Sequence, residues 1–293
     1  MRKLVLLLAF SLLFGCPSQD SYSVSDAGII HFPERNCPVW EINSSLEGTD
    51  KLVGLRFENG GAVVYGLLRV PRSSAPLPAL VLLHGAGVNK VYEQKLARTL
   101  SRFGYASLAI DLRGHGETGG QSAGMEDELA AFASGKPPQT HLMVSDALCA
   151  FDALAAHGEV DADRIAFAGE SMGGRLALIA AALEPRAKGA VGISTAGYGL
   201  PSHRNKTIER YLRSIDPDNY LTLLPPRPVV FVHSTADQTV PYATAVRSYS
   251  LAREPRRLVT VTCPIHGYCE EMDGALAHEL EKMLAAKAFP REG

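Results

Sequence analysis

The sequence predicts an α/β fold: a mostly parallel, doubly wound sheet with helices on both faces. Three observations lead to it. Apolar runs of strand length alternate with helix-forming runs from about residue 50 to residue 285. The first two strand-like runs are joined by Glu58-Asn59-Gly60-Gly61, a hairpin turn signal, so the strand–helix units start after an antiparallel pair. The residues able to do chemistry fall directly after strands, at the carboxyl ends where sites in such sheets form.

Composition narrows the class. A hydrophobic content of 46% with 20% charged residues describes a packed chain, not a disordered one. A formal net charge of −2 with no block of like charge gives no reason to expect nucleic acid as a partner. The chain shows no internal repeat and no low-complexity tract. Nothing in its middle reads as a linker, so residues 46–293 are read as a single domain.

The N-terminus is read apart from the fold. Arg2 and Lys3 precede an apolar stretch, Leu4 to Phe14, too short to span a bilayer. Residues 1–15 are therefore expected to be an export signal. The segment Leu13-Phe14-Gly15-Cys16 resembles the bacterial lipobox, although Phe14 is bulkier than usual there. The resemblance implies lipidation of Cys16, stable membrane anchoring and a place in the cell envelope. Pro17, where an aspartate would favour the inner membrane, leans the expectation towards the outer one. Plain secretion is the alternative. Residues 16–45, rich in Ser, Asp, Pro and Asn, are expected to form a tether.

The elements follow in order. Leu52 to Phe57 and Ala62 to Val70 make the hairpin. Ala79 to Leu83 is continuously apolar, as a strand covered on both faces should be. A helix from about Tyr92 to Phe103 and a strand from Tyr105 to Ile110 come next, then a polar excursion from Glu117 to His141. The run Leu142 to Ala156 is helical, and Cys149 inside it reads as a small buried hydrophobe. Ile165 to Ala168, Ala190 to Ser194, Pro228 to Val232 and Leu258 to Thr262 are further strands. Helices lie near Ala243 to Arg253 and Glu270 to Ala285.

Export would permit disulfides among Cys37, Cys149, Cys263 and Cys269. Cys263 and Cys269 are read as bridging across a short loop, or either as pairing with Cys37. Cys263, His266 and Cys269 lack a second ligand pair nearby, so no metal and no cofactor is expected.

The chemistry centres on Gly169-Glu170-Ser171-Met172-Gly173, followed by Gly174. A strand leads into it and a strong helix former, Arg175 to Glu184, leaves it. Strand, sharp turn and helix are what a nucleophile elbow needs. Serine needs a base, and His266, just past the last strand, is the best placed of nine histidines. The base needs an orienting carboxylate. Asp237, after the preceding strand, fits, with Glu270 and Glu271 as runners-up. His233 ends a strand too early and His278 lies within the final helix. The loop His84-Gly85-Ala86-Gly87 leaves backbone N–H groups free, so the N–H of Ala86 and Met172 are expected to form an oxyanion hole.

In this order, oxyanion loop, Ser, Asp, His, the chain resembles an α/β-hydrolase from about residue 50 to residue 285. The His84 loop and the Met172-Gly173-Gly174 elbow resemble those of monoacylglycerol lipases and related esterases. So does Asp111-Leu112-Arg113-Gly114-His115-Gly116, which in that family shapes the site floor without being catalytic. Dienelactone-hydrolase and prolyl-oligopeptidase catalytic domains are also similar. Glu170 departs from the histidine common in lipases of this type, and the short stretch before Asp237 leaves a small lid or none. The resemblance implies hydrolysis of a small-molecule carboxylic ester. The alternatives are a peptidase or acyltransferase with the same triad, and a non-catalytic binding lipoprotein. Ala196 to Pro226, with Tyr198, His203, Arg204, Arg210 and Tyr211, and the excursion Glu117 to His141 are candidate pocket walls.

Overall fold

The computed structural model describes residues 21–285. Two short strands, β1 (Ser23–Val24) and β2 (Ile30–His31), pair with each other. The main sheet is made of β3 (Val39–Glu47), β4 (Asp50–Asn59), β5 (Ala62–Val70), β6 (Leu77–Leu83), β7 (Ala106–Ile110), β8 (Val160–Glu170), β9 (Ala190–Ile193), β10 (Val229–Ser234) and β11 (Arg256–Val261). Its nine strands lie in the order β11-β10-β9-β8-β6-β7-β5-β4-β3. From β11 to β7 the neighbours run parallel, and β5, β4 and β3 continue the sheet antiparallel.

The described residues form seven α-helices: α1 (Gln94–Arg102), α2 (Met125–Ala133), α3 (Gln139–Ala155), α4 (Met172–Leu183), α5 (Lys206–Ile215), α6 (Tyr242–Leu251) and α7 (Asp273–Met283). The central strands are apolar on both faces because helices pack on both. Successive side chains alternate between the layers. Val81, Leu83, Ile165, Phe167, Val229 and Phe231 meet α3 and α4, while Leu80, Leu82, Ala166, Ala168, Val230 and Val232 meet α1 and α7. The mostly parallel, doubly wound sheet is as the sequence predicts.

The expected tether over 16–45 is corrected from residue 21 onward; Cys16 and the signal segment 1–15 lie outside the described residues. Ile30 is buried in the core, and the Tyr22 hydroxyl bonds to His141 Nδ1 at 2.6 Å. Arg35 pairs with Asp152 at 2.8 Å and Glu184 at 2.7 Å. Cys37 is disulfide-bonded to Cys149. Cys149 is buried in its helix as expected, but as half of a bridge and not as a free thiol. Val39–Glu47 then adds a strand to the sheet edge, its side chains exposed along its whole length. The segment packs, despite its polar composition, because it supplies an apolar anchor, a half-buried ion cluster and a covalent link.

The two expected excursions each hold a helix, α2 and α5, and these pack together. Phe132, Tyr211 and Ile215 form a small cluster, and the Tyr211 hydroxyl donates to Glu128 at 3.1 Å. His141 bonds to the Ser214 hydroxyl at 2.8 Å. Both excursions leave the carboxyl ends of their strands, so this compact cap stands on the site's end of the sheet.

Candidate active site

Strands β6 and β8 are neighbours, with Leu83 opposite Gly169. That register brings the loop after β6 against the turn after β8. Ser171 sits in this turn at φ 52°, ψ −115°. Apart from Ser194 it is the one non-glycine residue at positive φ among those described. A bulky backbone strain of this kind, on the order of 1–3 kcal/mol, persists only where the surroundings impose it. Here the Ser171 N–H donates to the Ile193 carbonyl at 2.9 Å, and the Thr195 hydroxyl donates to the Ser171 carbonyl at 2.6 Å. Gly173 is required by close approach, because a Cβ there would run into the backbone carbonyls of Leu83 and His84. Gly169 faces Gly173 in the same crossing.

The loop His84-Gly85-Ala86-Gly87 is fastened from beneath. His84 is fully buried, its Nδ1–H donating to the Gly85 carbonyl at 2.7 Å and its Nε2 accepting the Leu112 N–H at 3.0 Å. The accepting Nε2 requires the neutral ring, and burial lowers the pKa of that ring to about 4. Gly85 stands 3.5 Å from the Ser171 Cβ, measured from where its own Cβ would lie. The Gly87 N–H donates to His115 Nε2 at 3.2 Å and is thereby occupied. The Ala86 N–H has no acceptor among the described residues, and Met172, as the first residue of α4, has an N–H without an intrahelical partner. The Asp111–Gly116 segment supports this floor. Lys90 donates to Asp111 at 2.6 Å, and Arg113 forms a two-pronged bond with Asp146 at 2.7 and 2.9 Å.

Asp237 and His266 meet. His266 Nδ1 lies 2.8 Å from Asp237 Oδ2 and 3.1 Å from Oδ1. The Asp237 carboxylate also accepts the N–H groups of Thr239 and Val240, each at 2.9 Å. Burial opposes its ionisation, but the His266 ring and these two N–H groups outweigh burial and hold the carboxyl below its ordinary range. His233 is buried behind it at 3.6 Å, and its Nε2–H donates to the Val240 carbonyl. Burial keeps that ring below the usual histidine range. Glu270 and Glu271 lie exposed on a short 3₁₀ turn, and the carboxylate bonded to His266 is that of Asp237.

The His266 loop is held at several points. Cys263 and Cys269 are disulfide-bonded and enclose it. The Ser234 hydroxyl bonds to both backbone groups of Cys263, at 2.6 and 2.9 Å. The Ser194 hydroxyl donates to the Gly267 carbonyl at 3.3 Å. Glu170, the residue before Ser171, accepts the Tyr268 N–H at 3.0 Å and so joins this loop to the elbow. Ser171 Oγ itself makes no hydrogen bond among the described residues, to His266 or otherwise. Of the candidate pocket walls, Tyr211 is buried under the cap and Arg210 lies over the Phe132 ring at 5.3 Å. Tyr198 is exposed and stacks against the Arg175 guanidinium at 4.3 Å, one helical turn from Ser171. Glu170 and Glu93 are the residues that sequence reasoning left without a role.

Residues 74–221 match the family described as serine aminopeptidase, S33. Asp237 and His266 fall beyond the matched stretch. The uncharacterized protein YfhR of Escherichia coli O157:H7 is 25% identical over 201 residues, 66% of this chain and 65% of that protein's length. The uncharacterized protein MT2364 of Mycobacterium tuberculosis is 28% identical over 251 residues, covering 84% of this chain and 82% of its own. Among solved structures, an acetyl xylan esterase from Paenibacillus sp. R4 superposes with a TM-score of 0.70 at 22% identity, covering 84% of this chain and 88% of that one. That likeness shows the fold, which is the α/β-hydrolase fold.

Proposed function

This chain belongs to the serine aminopeptidase S33 family, and we propose that within it the protein is a serine esterase, lipid-anchored through Cys16 in the cell envelope, that cleaves small carboxylic esters. The observation that carries the reading is the Asp237–His266 bond at 2.8 Å beside a serine held at positive φ on a strand–helix elbow. Asp237 fixes His266 with its proton on Nδ1 and leaves Nε2 as the base. Ser171 Oγ attacks the ester carbonyl as its proton passes to His266. The N–H groups of Met172 and Ala86 receive the developing oxyanion. His266 then protonates the departing alcohol, and water reverses the same steps on the acyl-enzyme. Catalytic hydrogen bonds often tighten only once substrate is bound, and the Ser171–His266 bond belongs to that step.

The acetyl xylan esterase likeness favours short acyl groups such as acetyl. The family description favours a second reading, cleavage of an amino-terminal residue from a peptide. One experiment separates them: the protein is assayed on p-nitrophenyl esters of increasing chain length and on aminoacyl p-nitroanilides. Turnover of acetyl and butyryl esters with little anilide cleavage supports the esterase. Faster anilide cleavage, abolished by Ser171→Ala, replaces it with the peptidase.

A further inference from the structure

Glu170 occupies the variable position of the elbow, yet its side chain is turned inward and is 3% exposed. Its Oε2 accepts the Tyr268 N–H at 3.0 Å and fills the space a side chain at position 267 would need. Gly267 also adopts φ +96°, so the residue after the histidine is a glycine on two counts. Beneath Glu170 lies Glu93, the residue just before α1, with 0% exposure. No N–H or hydroxyl among the described residues reaches either of its carboxyl oxygens. The Glu170 carboxyl is its neighbouring charged group.

Two ionised carboxylates are both acceptors, so their contact requires a proton. The surroundings say which one carries it. Burial and the Glu170 charge push the Glu93 carboxyl well above its ordinary range. Burial raises Glu170 too, but the Tyr268 N–H, His266 and Lys95 all favour its charged form. Lys95 extends from α1 over the Tyr268 ring, at 5.4 Å. Tyr92, whose hydroxyl lies near Gly267, is kept neutral by burial and by both carboxyls. Of the two, Glu93 is thus the carboxyl favoured to carry the proton, while Glu170 accepts from Tyr268.

We propose that the Glu93–Glu170 pair, sharing one proton, is a positioning device that locks the His266 loop onto the nucleophile elbow and sets an alkaline limit to activity. The proposal rests on the reading of Ser171 and His266 given above. Glu170 is bonded covalently to Ser171 on one side and, through Tyr268, holds the His266 loop on the other. When Glu93 loses its proton, two buried negative charges face each other. Glu170 must then move, and Tyr268 loses its acceptor. A displacement of about 1 Å between base and nucleophile costs on the order of a hundredfold in rate.

The test compares the pH dependence of kcat and KM for p-nitrophenyl acetate in the wild-type protein, Glu93→Ala and Glu93→Gln. The alanine removes the donor; the glutamine presents an N–H at every pH. Glu93→Ala is expected to lower kcat at pH 7 by about tenfold or more with KM little changed, and Glu93→Gln to recover most of that loss. The alkaline limb of Glu93→Gln is expected about one pH unit or more above the wild type's. Thermal unfolding against pH supplies a readout independent of turnover: as pH rises above the ordinary carboxylate range, wild-type Tm falls more steeply than that of Glu93→Gln. Superimposed alkaline limbs, or equal slopes of Tm, overturn the proposal. Labelling of Ser171 by a fluorophosphonate, measured in parallel, keeps the two ideas apart. An unlabelled wild-type protein defeats the esterase reading, whereas a labelled one with unaltered pH behaviour in Glu93→Gln defeats only the pair.

Discussion

Replacing Cys37 with alanine opens the bridge to Cys149 and frees a stretch with a sequence separation of 112 residues. In the chain-entropy picture a closed loop of that length stabilises the fold by about 5 kcal/mol, and measured losses of native bridges run about 2–5 kcal/mol. The buried Cys149 side chain left behind is a small apolar group and adds little further cost. For a chain of this size about 1 kcal/mol moves Tm by roughly 2–4 °C, so the expected fall is roughly 5–20 °C. The assay is calorimetric or circular-dichroism melting of oxidised wild type and Cys37→Ala, each with and without reductant. Reductant should lower the wild type towards the variant. A Cys37→Ala protein melting within about 2 °C of wild type would refute the reasoning, because a loose N-terminal segment confers no such stabilisation.

Further outcomes follow from the site. Asp237→Asn presents an amide to His266 Nδ1 and favours the wrong tautomer; kcat should fall by about 10⁴ with KM little changed, as steady-state kinetics on p-nitrophenyl acetate would register. Gly267→Ala places a methyl group where the Glu170 carboxylate lies and strains a backbone at φ +96°, so kcat should fall by tenfold or more while Ser171→Ala sets the background. Burial lowers the His84 pKa to about 4 and that of His141 to about 3. The unfolded chain takes up these protons first, so stability is lost as pH falls from about 6.5 towards those values, by roughly 3–5 kcal/mol per histidine. Denaturant titrations of His141→Gln between pH 7 and pH 4 should show a shallower loss than wild type.

What could be read from the sequence was local. The elbow is spelled by five consecutive residues, and Gly173 is conspicuous because only a residue without Cβ lets α4 cross β6. His266 and Asp237 could be singled out because each directly follows a strand. What could not be read depends on distant partners. Cys149 has the look of a core residue until Cys37, far away in sequence, is brought beside it. Glu170 has no meaning without Tyr268, 98 residues further on, and without Glu93 from another element. Val39–Glu47 escaped notice since Glu41, Asn43, Ser44, Ser45 and Glu47 dilute its alternation of Trp40, Ile42 and Leu46. The helix Lys206–Ile215 carries its own signal in the sequence, for Ile208, Tyr211, Leu212 and Ile215 fall at helical spacing.

The proposed esterase activity depends on Ser171 as the nucleophile, driven by His266 and Asp237. Reaction of the folded protein with a fluorophosphonate, followed by peptide mass mapping, tests it most directly. A single adduct on Ser171 is expected, formed far more slowly in His266→Ala and absent in Ser171→Ala together with ester turnover. An adduct elsewhere, or ester hydrolysis that survives Ser171→Ala, would contradict it.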